Sequence, residues 1–465
     1  MILEQHYLAC LAQSSYLLVD EATRTAIVVD PRRDVELYLE RARELGAEIR
    51  HVFLTHFHAD FLSGHLELAE RTGATIHLGA AGEADYSFEP AHEGDRLELG
   101  SLAIEVRETP GHTPESITLL VYDLAEDRDV PHAILTGDTL FIGDVGRPDL
   151  MASVGHSAEE LAEMLFQSLR SKILPLPDEV LVYPGHGAGS ACGKNLSSDT
   201  VSTVGEQRNG NWALAPIEKE EFVRRVTEGL PPAPAYFSRT AALNKERRGT
   251  LERVLERSLV PMSLEEVLAA RSRGAQVLDV RSKDAFAAGH LGGSTNIGLD
   301  GKFASWAGSL MDLERPIVLV AEPGTEAEAA TRLGRIGLDH VTGYLERGFA
   351  ALRGREEGLV ASVARTGADE LARDLAGPHP PFVLDVRAPH EYEAGRIETA
   401  RNVPLPELEE RLDELPRDRR TVIHCQSGYR SMTAASRLLA HGFSDVVDLA
   451  GGYLAWAASG QASRS

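Results

Sequence analysis

The chain has 465 residues, 43% of them hydrophobic and 25% charged, and a formal net charge of −24 at pH 7. That length exceeds what one hydrophobic core can organise and calls for roughly two to four domains. No block of Lys or Arg breaks the acidic field, so nucleic acid and anionic membrane surfaces are excluded as partners, and an anionic substrate needs a locally built positive site.

The N-terminal run MILEQHYLACLAQSSYLLVD has no basic leader and is interrupted by Glu4, so it reads as a strand and not as a signal peptide. No stretch approaches the ~20 apolar residues of a membrane span. Cys10, Cys192 and Cys425 are odd in number and widely separated, which fits a reducing, cytoplasmic setting better than a disulfide framework.

Residues 1–245 alternate β-rich runs (AIVVD, HVFLTH, ATIHLG, AILTGD, EVLVYPGH) with helical stretches such as Val35 to Leu45 and Ala158 to Ser168. Several of the strands end directly in His or Asp, where loops converge over a rigid sheet. The run THFHADF puts His56, His58 and Asp60 just past an apolar strand. Groups at i, i+2 and i+4 of this kind mark a loop at a strand end. His112 in TPGHTPES, Asp138 in LTGD and His186 in YPGHG follow at further strand ends. Neutral imidazole with carboxylate is a ligand set for zinc, Fe(II) or manganese.

These motifs, in this order, resemble the metallo-β-lactamase superfamily over the whole of residues 1–245. Two-metal members such as glyoxalase II carry His after the aspartate of HxHxD. Phe61 stands there in this chain, and an apolar ring cannot coordinate a second ion. The stretches FIGDVGRPDL from Phe141 and VSTVGEQR from Val201 are similar to persulfide dioxygenases. That resemblance implies one Fe(2+) per chain on His56, His112 and Asp138, a face of two His and one carboxylate with open positions. His58, Asp60 and His186 then orient waters and the ligand rings, or bind weakly. It also implies a low-molecular-weight persulfide (of glutathione, coenzyme A or a similar thiol) and O2 as substrates, and sulfite with free thiol as products. Arg147, in GRPD, is the candidate for substrate charge. Cys192, in GHGAGSACGKN, resembles the cysteine near the iron of rhodanese-fused members, placed to hold persulfide or gate entry.

The segment PPAPAYFSRTAALNKERRG from Pro231, proline-rich and then charged, predicts a domain boundary. An internal repeat follows it: VLDVRSKDAFAAGHLGGSTNI from Val277 matches VLDVRAPHEYEAGRIETARNV from Val383. Two copies of a small domain are expected, over 262–355 and 363–465, each a parallel sheet with helices on both faces. In the second copy HCQSGYRS follows a strand and opens a helix, so a Cys425 thiolate faces backbone N–H groups and the positive end of a helix dipole, with Arg430 adding charge. Tyrosine-phosphatase-type loops need Cys-x5-Arg to wrap a tetrahedral phosphate, and Cys425-x4-Arg430 is one residue short. The spacing, with LDVR, EYEAGRI and GGYLAW around it, resembles rhodanese. That implies a persulfide-forming Cys425 with Arg430 and Ser431 as catalytic neighbours. The first copy aligns Val320 and Ala321 with Cys425, and Glu322 and Glu326 oppose an anion, so it is expected to be non-catalytic.

The expected fold is therefore an N-terminal αββα sandwich over 1–245 followed by two rhodanese-type α/β domains. The expected function is persulfide oxidation to sulfite joined to sulfane-sulfur transfer through Cys425, with thiosulfate as a coupled product. The resemblance also allows a homo-oligomer. The rival expectation is a zinc thioester hydrolase of glyoxalase II type fused to rhodanese, against which Phe61 counts.

Overall fold

The computed structural model describes residues 1–150, 155–355 and 357–460. They form two compact units: Met1–Val254 with Leu333–Gly337, and Leu255–Arg332 with the chain from Leu338 onward.

The first unit holds two six-stranded sheets. One runs in chain order through β1 (Ile2–Leu8), β2 (Gln13–Asp20), β3 (Thr25–Val29), β4 (Glu48–Leu54), β5 (Thr75–Gly79) and β6 (Glu89–Ala91). The other runs β12 (Ser202–Thr203), β11 (Leu181–Pro184), β10 (Ala133–Gly137), β9 (Ile117–Asp123), β8 (Leu102–Glu108) and β7 (Arg96–Leu99). Strand periodicity decides the layering. Leu18, Ile27, Val29 and Phe53 bury between the sheets against Ile104, Val106, Leu119 and Leu135. Their chain neighbours Leu17, Val19, Val28 and Val52 point the other way, onto Tyr38 and Ala42 of the helix Glu36–Glu44. Leu120, Ile134 and Val182 likewise meet Ala162 and Leu165 of the helix Ala158–Ser168, and Phe222 of Lys219–Thr227. The inner strands are buried on both faces, which gives the αββα order.

The Pro231 segment, expected to mark a domain boundary, folds as the last part of the first unit, whose main run ends at Val254. Tyr236, Phe237 and Thr240 are buried, and the helix Phe237–Leu243 ends at Asn244 inside the first unit. Proline and charge mark the surface turns of this stretch, while its aromatic residues supply the burial that a linker lacks.

The second unit holds two five-stranded parallel sheets of the same strand order. The first reads 261–262, 341–345, 317–320, 276–279, 295–296, and the second 364–366, 446–449, 421–424, 382–385, 401–402. The two copies share a core. Phe286 and Ala287 of the first pack with Leu384, Ile423, Met432 and Leu438 of the second. No helix among the described residues is long and apolar enough to cross a membrane.

Candidate metal centre and cysteine loop

Four strands of the first unit end at one point. β4 leads into His56, His58 and Asp60, β8 into His112, β10 into Asp138 and β11 into His186, and all six side chains are buried. The local hydrogen bonds fix the imidazole tautomers. Thr55 Oγ1 donates to Asp30 Oδ2 (2.7 Å), so it accepts from His56 Nδ1 (3.0 Å), which leaves the His56 Nε2 lone pair free. His112 Nδ1 donates to the Arg147 carbonyl (2.8 Å), with the same result at its Nε2. Both Nε2 atoms face Asp138 Oδ2, at 3.8 Å from His56 and 3.4 Å from His112. The His56 Nε2 is buried with no hydrogen-bond partner.

Protonation agrees with this geometry. Burial holds His56 well below the usual imidazole range, and the neighbouring His58 pushes it the same way. Burial lowers His112 too, against the pull of Asp138. For Asp138 burial favours the neutral acid, but His186, then His56, outweigh it and keep the carboxyl well below its ordinary range. His186 is the reverse case. Burial opposes its charge, yet Asp138 (Nδ1 to Oδ1, 2.8 Å) and Asp60 (Nε2 to Oδ2, 2.9 Å) grip both ring nitrogens and hold it well above the usual value. Two neutral imidazoles and one carboxylate oxygen thus converge with no proton between them, a donor set that fits a divalent metal. The ligand atoms of His56, His112 and Asp138 lie within 4.8 Å of one another, as do those of His58, Asp60 and His186, and those of Asp138, His186 and Cys192.

The second triad differs in surroundings. The Phe61 ring lies 4.4 Å from that of His58, and His58 Nε2 is 3.0 Å from Asp30 Oδ1 without hydrogen-bond alignment. Cys192 is buried, and burial followed by Asp60 and Asp138 raises its thiol well above the usual range.

Arg147, the candidate for substrate charge, is bonded within the fold. Its guanidinium clamps Asp149 through Nε (2.6 Å) and Nη2 (2.7 Å) and donates to the carbonyls of Pro231 (2.8 Å) and Ala191 (3.2 Å). Four of the five guanidinium N–H groups are thus used within the fold, and the charge is already paired with Asp149. What Arg147 gives the site is its backbone carbonyl on His112. Gly146, before it, is needed because a Cβ there would overlap the Asp138 carbonyl and the His112 ring.

Sequence reasoning passed over three supports of this loop. Asp30, at the end of AIVVD, accepts from Thr55 N (2.8 Å) and Thr55 Oγ1, and its strand-end position was the available signal. Glu115 accepts from Phe57 N (2.9 Å). Asn244 donates to the carbonyls of His58 and Phe61 (2.8 Å each) and accepts from Ser63 N (2.9 Å), a link across the chain that no local pattern could reveal.

In the second unit Cys425 follows the strand Thr421–His424 and is buried, with the Gly428 N–H donating to its sulfur (3.2 Å). Gly428 (φ 103°) caps the helix Tyr429–Ala440. Arg430 pairs with Glu391 through Nη1 (2.5 Å) and Nη2 (2.7 Å). Burial works against the Arg430 charge, and Glu391 with the nearby Cys425 sulfur sustains it. Ser431 donates to Asp448 Oδ1 (2.6 Å), so its hydroxyl anchors the loop to the neighbouring strand. Burial raises the Asp448 carboxyl to about 6. In the first copy Val320 pairs with Asp279 as His424 pairs with Asp385, so Ala321 holds the place of Cys425.

Known proteins agree with both halves. A Metallo-beta-lactamase superfamily model matches residues 8–186, and a Rhodanese-like domain model matches 263–354 and 367–459. The mitochondrial persulfide dioxygenase ETHE1 of Bos taurus is 32% identical over 229 residues, 47% of this chain and 78% of its own length. That of Homo sapiens is 31% identical over 243 residues, 50% of this chain and 84% of its own. A solved metallo-beta-lactamase from Staphylococcus aureus is 31% identical with a TM-score of 0.66, over 74% of this chain and 98% of that one. The chain belongs to the persulfide dioxygenase family of the metallo-beta-lactamase superfamily, with two rhodanese-like domains following in the same polypeptide.

Proposed function

We propose that the first unit oxidises a low-molecular-weight persulfide, with one Fe(II) held by His56, His112 and Asp138, and that Cys425 carries sulfane sulfur in the second. The balanced reaction is RSSH + O2 + H2O → RSH + SO3²⁻ + 2H⁺. The observation that carries the reading is the convergence of two unprotonated Nε2 atoms on one carboxylate oxygen, in a chain of this family. Bound iron would supply the redox chemistry between persulfide sulfur and O2. The chain's own groups do the rest. The His186 imidazolium donates to Asp138 from Nδ1, which lies 2.8 Å from Oδ1 and 3.0 Å from Oδ2, and so orients the carboxylate whose Oδ2 faces the ligand rings. Phe61 and Phe141 pack about that ring and keep water from it. Cys192, beside Asp138 and His186, lines the path of the substrate sulfur.

Oxygen uptake by iron-loaded protein given glutathione persulfide tests the reading. Two zinc ions per chain with thioester turnover, and no oxygen uptake, would overturn it in favour of a hydrolase. Sulfite from the first site can accept sulfur from a Cys425 persulfide to give thiosulfate. Cys425→Ser should then abolish thiosulfate while sulfite accumulates, and an unchanged thiosulfate yield removes the coupling.

A further inference from the structure

We infer that Lys283, from the copy without a cysteine, is a specificity-determining residue at the mouth of the Cys425 loop, drawing in the anionic sulfur donor or acceptor. The inference rests on the reading of Cys425 as a sulfur carrier. Lys283 Nζ donates to the carbonyl of Ser427, inside the loop, at 2.7 Å. The same ammonium lies 3.1 Å from where a Cβ on Gly428 would sit, and the Gly428 N–H is the donor to Cys425 Sγ. Ammonium and sulfur therefore flank one glycine.

The placement is built and not incidental. Lys283 opens the helix Lys283–Ala288, whose Phe286 and Ala287 are buried in the core of the second copy. Tyr429, within the loop, donates to the Gly298 carbonyl of the first copy (2.6 Å), and Ser436 Oγ accepts from Asn296 N (3.0 Å). These contacts fix the first copy against the loop and the helix that follows it.

Charge makes the lysine matter. The loop's own cation, Arg430, is paired bidentately with Glu391. Lys283 forms no ion pair within 4 Å among the described residues; its hydrogen bond goes to a neutral carbonyl, and the Asp448 carboxyl, itself paired with Arg365, feels its charge from farther off. In a chain of net charge −24, that ammonium is the local positive charge an anionic substrate requires. The transfer it serves breaks the S–S bond of thiosulfate and forms one to Cys425: Cys–S⁻ + S–SO3²⁻ → Cys–S–S⁻ + SO3²⁻, sulfite leaving with the electron pair. The reverse step takes sulfite in. Either direction brings a dianion to an anionic sulfur, where one unpaired cation lowers the repulsion. The copy that lost its cysteine thus completes the site of the copy that kept it.

Full-length Lys283→Ala, Lys283→Glu and Lys283→Arg are to be compared with the native chain in two assays. In sulfur transfer from thiosulfate to cyanide, Lys283→Ala should raise KM for thiosulfate about five-fold with kcat little changed, as expected for one screened charge near a dianion. Lys283→Glu should raise it further, and Lys283→Arg should restore it. In the second assay, mass spectrometry follows alkylation of Cys425 by anionic iodoacetate and neutral iodoacetamide. Lys283→Ala should slow iodoacetate selectively. Unchanged KM and an unchanged reagent ratio would overturn the inference, and so would equal slowing of both reagents, which marks a merely structural residue. If the native chain transfers no sulfur from thiosulfate, the sulfur-carrier reading fails, and the reagent ratio still decides whether Lys283 selects anions.

Discussion

Replacing Arg147 by Met separates a framework role from a substrate-binding one. The side chain is 1% exposed, so its guanidinium is not replaced by water when removed. The carbonyls of Ala191 and Pro231 then lose buried donors, at about 1–3 kcal/mol each, and Asp149 loses its partner. Asp149 is 29% exposed and Pro231 is an exposed residue, so both recover part of their solvation and the sum is about 3 kcal/mol, at the lower end of what breaking a buried pair costs. For a unit of this size, that corresponds to a fall of roughly 10 °C in Tm by calorimetry. The loss propagates to the site because the Arg147 carbonyl holds His112 Nδ1. A ligand that loses such an outer partner typically binds metal about 10- to 100-fold more weakly. The expected result is therefore lower Tm together with lower metal retention, and KM for persulfide unchanged in the protein that keeps its metal. Full stability and full metal content with a raised KM would refute the framework argument and return Arg147 to the substrate.

Three further outcomes follow from particular contacts. Asp448 titrates near 6 when folded against 3.8 unfolded, so the folded state holds the extra proton between those values. Stability is then highest below the lower value and falls as pH rises through about 6, by about 3 kcal/mol. Asp448→Asn should flatten that slope in urea titrations from pH 4 to 7. Gly111→Ala should displace the PGHT turn and cost most of the bound metal by elemental analysis, since Gly111 sits at φ 146° and a Cβ would overlap the Leu165 backbone. A chelator should destabilise the first unit by the ~2.7 kcal/mol that a ligand at a hundred times its Kd confers, read as a lower Tm, while thiosulfate–cyanide activity at Cys425 persists.

Much of the site was legible because metal ligands must lie at strand ends, and strand ends are visible as apolar runs that stop at His or Asp. HVFLT before His56 and AILTG before Asp138 are such runs, and the structure brings both to one point. The tautomers were not legible, since they depend on Thr55 relaying Asp30 to His56 and on a backbone carbonyl behind His112. Arg147 misled for a related reason. A lone arginine next to a ligand motif reads as free charge, and only the fold shows Asp149 and two carbonyls around it. The Pro231 stretch announced the end of the first unit by its composition, which reports surface turns and not the burial of Tyr236 and Phe237 between them.

The duplicated halves show what a rhodanese frame needs and what it can lose. Arg281 binds both oxygens of Asp279 and the Gly289 carbonyl (2.9 Å), and Arg387 binds both oxygens of Asp385 and the Gly395 carbonyl (2.7 Å). Asn296 and Asn402 each donate to the carbonyls of the Asp and Arg of their own copy. Each arginine also lies over an aromatic ring, Phe349 at 4.4 Å and Tyr453 at 4.2 Å. The LDVR motif is thus intact in both copies, and its Asp and Arg serve a frame that the two share. The copies differ in the loop, where AEPGTE stands in one copy and CQSGYR in the other. A frame kept without its nucleophile needs another use. The helix that presents Lys283 to the neighbouring loop offers one, because Phe286 and Ala287 of that helix are packed into the core of the second copy while Lys283 reaches the Ser427 carbonyl.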